Sequence, residues 1–411
     1  MSARRRWTNV RGTENRIYEP LERLAVGAFD LPGRAWAALR GRAPGLPLDP
    51  AELREVLVLR LDRIGDVVMS LPALADLRRA LPDARIRLAV GRWSADVARS
   101  APVDEVIEWS APWVGRRSEG ADGFGALCRR AFGLRGERLD LAIDLQGDVR
   151  ASLLMWLCGA RARVGYANTG GAWMLTHVVP LDEDVSWVAQ NRLALDVALG
   201  PQPRGRVADP LASAERAAAA ELLGRLGLGP GGPRVGIHPS GGRLIKQWPA
   251  GRWAEVGARL QREFGARVVI TGSGADAALA AEVAALLPER PTDLAGRLSV
   301  RETLAVVEQL DLYLSPDTGT MHLACLVGTP TVSVFGPSDP GRYFFDFDPA
   351  ERERHVVCRP DLWCAPCNLI RKPPAECTKA TLPECLDLVG VDEVHAAAVR
   401  LLVDGGFAPR A

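Results

Sequence analysis

Several short stretches in the second half of the chain carry residue types suited to holding an anion. Asp317-Thr318-Gly319-Thr320 lies between an extended apolar run, Asp311 to Ser315, and an apolar helical pattern through His322, Leu323, Ala324, Leu326 and Val327. A strand, a small-residue turn and a helix aim unpaired backbone N–H groups and the positive end of a helix dipole at one point, where a phosphate is stabilised. Asp317 at that point either caps the helix or binds a ligand hydroxyl. Pro239-Ser240-Gly241-Gly242, Lys246 and Gly272-Ser273-Gly274 reach the same edge if the sheet is parallel. A small-residue loop, one ammonium and a helix start together suit a diphosphate. Lys246 is one of three lysines in a chain whose basic residues are otherwise arginine, which hints that a compact ammonium is wanted there.

In the first half, Asp66 follows Gly65 at the end of a strand-like run, Val56 to Leu61. A carboxylate there is a general base for a hydroxyl nucleophile or, as position alone favours, a helix N-cap. His322 either hydrogen-bonds a phosphate or Asp317, or is simply packed; His238, before Pro239, has the same two readings. Gly272-Ser-Gly274 opens a helix after a strand, with Asp293 about 20 residues on, as in a dinucleotide fingerprint. That keeps an NAD(P)-linked oxidoreductase as an alternative, although the match falls on the second strand–helix unit of its half rather than the first. Cys364 and Cys367 form a C-x2-C that could hold zinc with Cys377 and Cys385. Their spacing fits no common zinc module, and reduced structural cysteines are the competing reading.

These residues need a scaffold. A chain of 411 residues exceeds one ordinary core and predicts two domains. Apolar content of 47% with 25% charged residues is that of a globular protein. A net charge of +1 without basic–aromatic clusters argues against a nucleic-acid surface. No apolar run reaches the ~18–20 residues of a membrane span, and no apolar segment follows Arg4–Arg6 as in a signal peptide, so the expectation is a cytoplasmic protein. Strand-like runs alternate with helical patterns from Val56 to Tyr166 and again from Arg234 to Phe335, which predicts parallel sheets covered on both faces. A Pro/Gly-rich break at Gly200 to Asp209 marks a hinge. The expected domains are a basic extension, 1–53; an N-terminal α/β domain, 54–205; a C-terminal one with the cysteine-rich segment, 206–395; and a tail, 396–411. Up to Leu48 the extension has nine Arg against four acidic residues. Ile17, Leu21, Leu24 and Ala28 share a helical face beside Arg16 and Arg23. Such a helix packs on the first domain, the simpler reading, or rests on an anionic membrane.

Five motifs occur in order: Arg60-Leu-Asp-Arg-Ile-Gly-Asp66 with Leu71-Pro-Ala-Leu74; Asp144-Leu-Gln-Gly147; Lys246-Gln-Trp-Pro249; Asp317-Thr-Gly-Thr-Met-His-Leu323; and Phe335-Gly-Pro-Ser-Asp-Pro340. Jointly they resemble glycosyltransferase family 9, the ADP-heptose:lipopolysaccharide heptosyltransferases, over about residues 54 to 395. The resemblance implies a GT-B fold, two Rossmann-like doubly wound domains facing a central cleft, and inverting transfer without a metal. The donor would be a nucleotide sugar, most readily ADP-heptose, and the acceptor a lipid-linked saccharide at the inner face of the membrane. By the same resemblance Asp66 is the catalytic base and Lys246 contacts the donor diphosphate. Ser240 and Gly241 line the donor loop, and Thr318, Gly319 and Thr320 hold the phosphates. Asp317 lies beside the donor sugar with His322 next to it, and Asp276 holds the ribose. Asp144, Gln146 and Arg150 fall on the acceptor side. A catalytically silent glycan-binding relative is the further alternative.

Overall fold

The computed structural model describes residues 20–38, 43–114, 122–205, 207–229, 231–344, 352–368, 377 and 382–410. It divides into two compact units that meet in sequence between Ala208 and Asp209.

The N-terminal unit is built on six parallel strands: β1 Glu55–Arg60, β2 Arg85–Val90, β3 Glu105–Glu108, β4 Leu141–Asp144, β5 Ala162–Gly165 and β6 His177–Val178, in the order β3-β2-β1-β4-β5-β6. From Val56 to Leu61 every residue is buried, as a parallel strand covered on both faces requires. The apolar pattern after Asp66 forms two helices, Ile64–Val68 and Leu71–Ala80, rather than one. Pro72 stands near the start of the second, where its missing N–H costs no helical bond.

The C-terminal unit repeats the plan with β7 Arg234–Ile237, β8 Arg267–Ile270, β9 Thr292–Asp293, β10 Leu312–Pro316, β11 Thr331–Val334 and β12 His355–Cys358, in the order β12-β11-β10-β7-β8-β9. Read from the other edge, this is the same permutation as in the first unit. Both are the Rossmann order 3-2-1-4-5-6, whose strand order reverses between the first and fourth strands and leaves a ligand crevice beyond their carboxyl ends. Val235, Ile237, Trp253, Val268, Leu312, Leu314 and Val332 are among its core residues.

Two expected boundaries shift. The helix Val391–Asp404 buries Val394, Ala398, Leu401 and Leu402 in that same core, so the tail expected from 396 is largely part of the C-terminal unit. At the other end, the helix Pro20–Ala38 belongs to the N-terminal unit, anchored where Asp30 accepts the Gly171 backbone N–H at 3.0 Å. Arg16 and Ile17 lie outside the described residues. Among the described residues no helix is long and apolar enough to cross a membrane.

Candidate functional site

In the C-terminal unit, the loops that follow β7, β8 and β10 leave the carboxyl ends of three adjacent parallel strands. The β7 loop doubles back tightly. A Cβ on Gly241 would lie 2.5 Å from the Lys246 carbonyl carbon and 2.7 Å from the Gln247 nitrogen, so only glycine lets the two backbones pass. Gly242 takes φ +67°, the left-handed region glycine enters without strain. Beyond a 3-10 turn at Leu244–Lys246, Trp248 is fully buried, edge-on to Trp253 at 4.7 Å, and donates its indole N–H to the Val389 carbonyl at 3.1 Å. The helix Ala250–Phe264 then starts directly behind Pro249. Lys246 thus rides on a short segment fixed at both ends.

Its ammonium lies 2.6 Å from a carboxylate oxygen of Asp317, which is 6% exposed. Burial drives the Asp317 carboxyl up, but Lys246, with help from Ser338 and His322, outweighs it and holds the group below its usual range. The helix-cap reading of Asp317 therefore gives way to an ion pair. Thr318 occupies the cap position of the helix Gly319–Leu326, yet its side chain caps nothing. Its hydroxyl meets Thr320 at 2.9 Å and Ser315 at 3.2 Å instead. No Thr318 oxygen therefore covers the first N–H groups of this helix, the ones an anion uses. His322 is 3% exposed within the same helix.

A hydrogen-bonded chain runs beneath these loops: His238 Nδ1 to Thr271 Oγ1 at 3.4 Å, and Thr271 to the Tyr313 hydroxyl at 2.6 Å. Tyr313 also bonds the Thr320 side chain. Burial pushes His238 down to about 4 and Tyr313 up to about 12, so both are neutral near pH 7 and the chain brings no net charge below the Lys246–Asp317 pair. Asp276 accepts the Ser273 N–H at 2.8 Å and the Ser273 hydroxyl at 2.6 Å. Burial raises its pKa, but these bonds, one from Ser240 and the nearby His238 bring it below the usual range. Gly272–Gly274 lie in the loop after β8, the second strand of this unit, away from the reversal between β7 and β10, and Asp293 spends its carboxylate on the Ala295 N–H at 2.9 Å. That is not the geometry of a dinucleotide fingerprint.

The N-terminal unit places its carboxylates at the equivalent reversal. Asp66, in the helix after β1, accepts the Arg63 backbone N–H at 3.3 Å through one oxygen, while the other lies 3.6 Å from Arg60 Nη2. Arg60 is 2% exposed; it donates to the Asp66 carbonyl at 3.2 Å and to the Leu145 carbonyl, and lies 3.6 Å from Asp62. The guanidinium thereby ties the end of β1 to the turn after β4. Gln146 completes the tie by donating to Asp62 at 2.7 Å.

Two of the expected acceptor residues are otherwise engaged. Asp144 is fully buried and accepts the Gln146 and Gly147 N–H groups at 2.9 Å each; it shapes the turn and presents no oxygen to solvent. Burial pushes its carboxyl up to about 7, against those two bonds and with repulsion from Asp148 and Asp62 adding to the rise. Arg150 grips Asp148 through two bonds of 2.7 and 2.6 Å and lies over the Trp113 ring at 4.6 Å. Arg60, Thr271, Tyr313 and Ser338 were not singled out as functional from the sequence. A lone arginine inside the run Val-Leu-Val-Leu-Arg-Leu was nevertheless a readable signal, since a buried charge demands partners.

Cys364, Cys367, Cys377 and Cys385 come close enough to feel one another: burial pushes the Cys385 thiol up to about 12, with the other three adding to the rise. Among the described residues no three His, Cys, Asp or Glu side chains are arranged to hold a metal ion.

Residues 128–376, more than half of the chain, match the profile of glycosyltransferase family 9 (heptosyltransferase). Lipopolysaccharide heptosyltransferase 1 of Pseudomonas aeruginosa is 29% identical over 333 residues, 76% of this chain and 85% of that protein. The crystal structure of a family 9 glycosyltransferase from Veillonella parvula superposes with a TM-score of 0.72 at 22% identity, covering 88% of this chain and all of that one. The E. coli ADP-heptose LPS heptosyltransferase II follows at 0.67 and 22%, over 86% and 99% of the two chains. At such identities the superpositions speak for the fold, which is GT-B, and the profile speaks for the lineage: this chain is a glycosyltransferase of family 9, the heptosyltransferases.

Proposed function

We propose that the protein transfers a heptosyl group from ADP-heptose to a saccharide of the lipopolysaccharide core, or to a related lipid-linked acceptor, with inversion and without a metal. The observation that carries this reading is the buried Lys246–Asp317 pair beside a helix start left uncovered by its cap residue. An ammonium at a helix N-terminus offsets the charge that builds on a departing diphosphate. Thr318, Gly319 and Thr320 supply N–H groups and hydroxyls to those phosphates, and Ser240 and Gly241 line the facing loop. Asp276 takes the ribose, and Asp317 and His322 lie beside the sugar.

In the other unit Asp66 is the general base. Its carboxylate takes the proton of the acceptor hydroxyl as the oxygen attacks the anomeric carbon. The carbon–oxygen bond to the diphosphate breaks, and ADP leaves with that electron pair. Gln146 contacts the acceptor, and Asp144 holds its turn. Work on a lipid-linked saccharide places the enzyme in the cytoplasm at the inner membrane face.

The test is turnover of ADP-heptose with a core-saccharide acceptor. Asp66→Ala should cut the rate by about 10²–10⁴-fold while ADP affinity, measured by calorimetry, stays within about twofold. Near-normal turnover in that variant would remove Asp66 from the chemistry. Tight ADP binding by the parent protein without turnover would support the catalytically silent alternative.

A further inference from the structure

One stripe of the helix Pro20–Ala38 is apolar and faces outward. Leu24 is 70% and Leu31 72% exposed, and Ala28 and Ala35, also exposed, continue the same stripe at helical spacing. Pro32 is exposed beside it, and Phe29 is 39% exposed at its edge. The attachment to the protein is made from the other side. Asp30 is buried and reaches the Gly171 N–H with both oxygens, at 3.0 and 3.2 Å. Gly33 lies so close to the Trp173 indole that a Cβ would overlap it at 2.2 Å. A polar clasp, a glycine contact and the Phe29 ring packed on Trp173 at 5.3 Å between centroids hold the helix, and the stripe through Leu24 and Leu31 takes no part, whereas a helix on a globular surface ordinarily buries its apolar stripe.

Charge points to what covers the stripe. The segment up to Leu48 has nine Arg against four acidic residues, in a chain whose overall net charge is only +1. An exposed apolar stripe within a segment whose sequence has this excess of arginine matches an anionic lipid surface, where apolar side chains enter the acyl boundary and basic sequence is attracted to phosphate headgroups. The clasp also lies near the acceptor side of the same unit: a Cβ on Gly171 would sit 3.0 Å from Val149, and Val149 N–H donates to Thr169 at 2.7 Å just beyond the Gln146–Gly147 turn.

We propose that the outward stripe of the helix Pro20–Ala38, with Leu24 and Leu31 at its centre, seats in the surface of an anionic phospholipid bilayer. Docking there holds the unit that carries Asp66 and Gln146 against the surface in which a lipid-linked acceptor is embedded. Only this purpose rests on the acceptor reading above; the docking itself does not.

The experiment is co-sedimentation of the full chain with phosphatidylglycerol/phosphatidylethanolamine vesicles and with phosphatidylcholine vesicles. The parent protein is expected to bind the anionic vesicles at least about tenfold more tightly, with binding weakened by salt. Leu24→Glu/Leu31→Glu is expected to lower that binding by more than about tenfold with an unchanged thermal transition, because both side chains are already in water. Leu31→Gln alone, a neutral change, should show a smaller loss in the same direction. Transfer to a delipidated saccharide should be unaffected, and transfer to a vesicle-embedded acceptor slowed. Equal vesicle binding by variant and parent overturns the proposal, as does equal parent binding to neutral and anionic vesicles. A parent that ignores vesicles but forms a dimer broken by the double substitution overturns it in favour of self-association. Normal docking without any turnover of ADP-heptose would count against the catalytic reading and leave the docking intact.

Discussion

Replacing Lys246 with Met strands a carboxylate in the interior. Asp317 is 6% exposed and its ammonium partner lies 2.6 Å away, so the substitution removes the main opponent of the burial that pushes this carboxyl up. Breaking a buried pair from one side typically costs about 3–5 kcal/mol, and that is the expected loss for Lys246→Met in urea denaturation at pH 7.5. The pH dependence follows from the direction of the shift. In the parent the folded-state pKa of Asp317 is depressed, so its contribution is present above the unfolded value of about 3.9 and fades as acid passes the folded one. In the variant the folded-state pKa rises above the unfolded one. The penalty is then full at neutral pH and shrinks as falling pH protonates the group, so the gap between the two proteins narrows from pH 7.5 to 5.5. Lys246→Met/Asp317→Asn, which removes both charges, should recover most of the stability. It should not recover ADP affinity, which both variants lose by about tenfold or more, as expected for a charge-assisted contact. A cost under about 1 kcal/mol for the single substitution, or a double variant no more stable than the single, would refute the buried-pair argument. Restored ADP affinity in the double variant would refute direct action of the ammonium on the diphosphate.

Gly241→Ala sets a methyl group against backbone that cannot rotate away. It should cost about 1–3 kcal/mol in denaturation and weaken ADP binding through the displaced Lys246. Asp144 is pushed up to about 7 in the folded protein, above its unfolded value of about 3.9. Its contribution is therefore full below pH ~4 and lost as pH rises through about 7; Asp144→Asn should flatten that part of the stability profile, measured by denaturation at pH 5 and pH 8. EDTA should leave the transfer rate unchanged, and a rate restored only by added divalent metal would overturn the metal-independent reading.

The sheet plan was legible where burial on both faces imposes an unbroken apolar run. Val56 to Leu61 shows this, and the spacing of Leu71, Leu74 and Leu77 shows the helix that covers it. It was not legible at β6 and β9, two residues each, or at β12, four residues. Elements that short hold only one or two strand periods, too few to establish an alternation, and neighbours across the ladder decide their conformation. The Val391–Asp404 helix makes its contacts with β10, β11, β12 and the helix Ala250–Phe264, all outside any local window, so local pattern said little about whether it was tail or core.

Within the site, the sequence marked which residues carry chemistry because turn residues are constrained locally: Gly241 by a backbone crossing, Thr318 and Gly319 by the start of a helix. Partnership is a different matter, since a charged side chain has several partners within reach and the sequence does not say which it takes. Asp317 could cap its own helix or meet Lys246, and the tertiary choice left the helix start uncovered by Thr318 while fixing the ammonium. Arg150 could reach an acceptor or its neighbour Asp148, and the local bidentate pair won. Arg60 joins Asp62, Asp66 and Leu145 into one hub, a role that no spacing rule encodes. A buried cation inside an apolar strand does announce that such a hub must exist, because an unpartnered guanidinium there would cost more than the strand contributes.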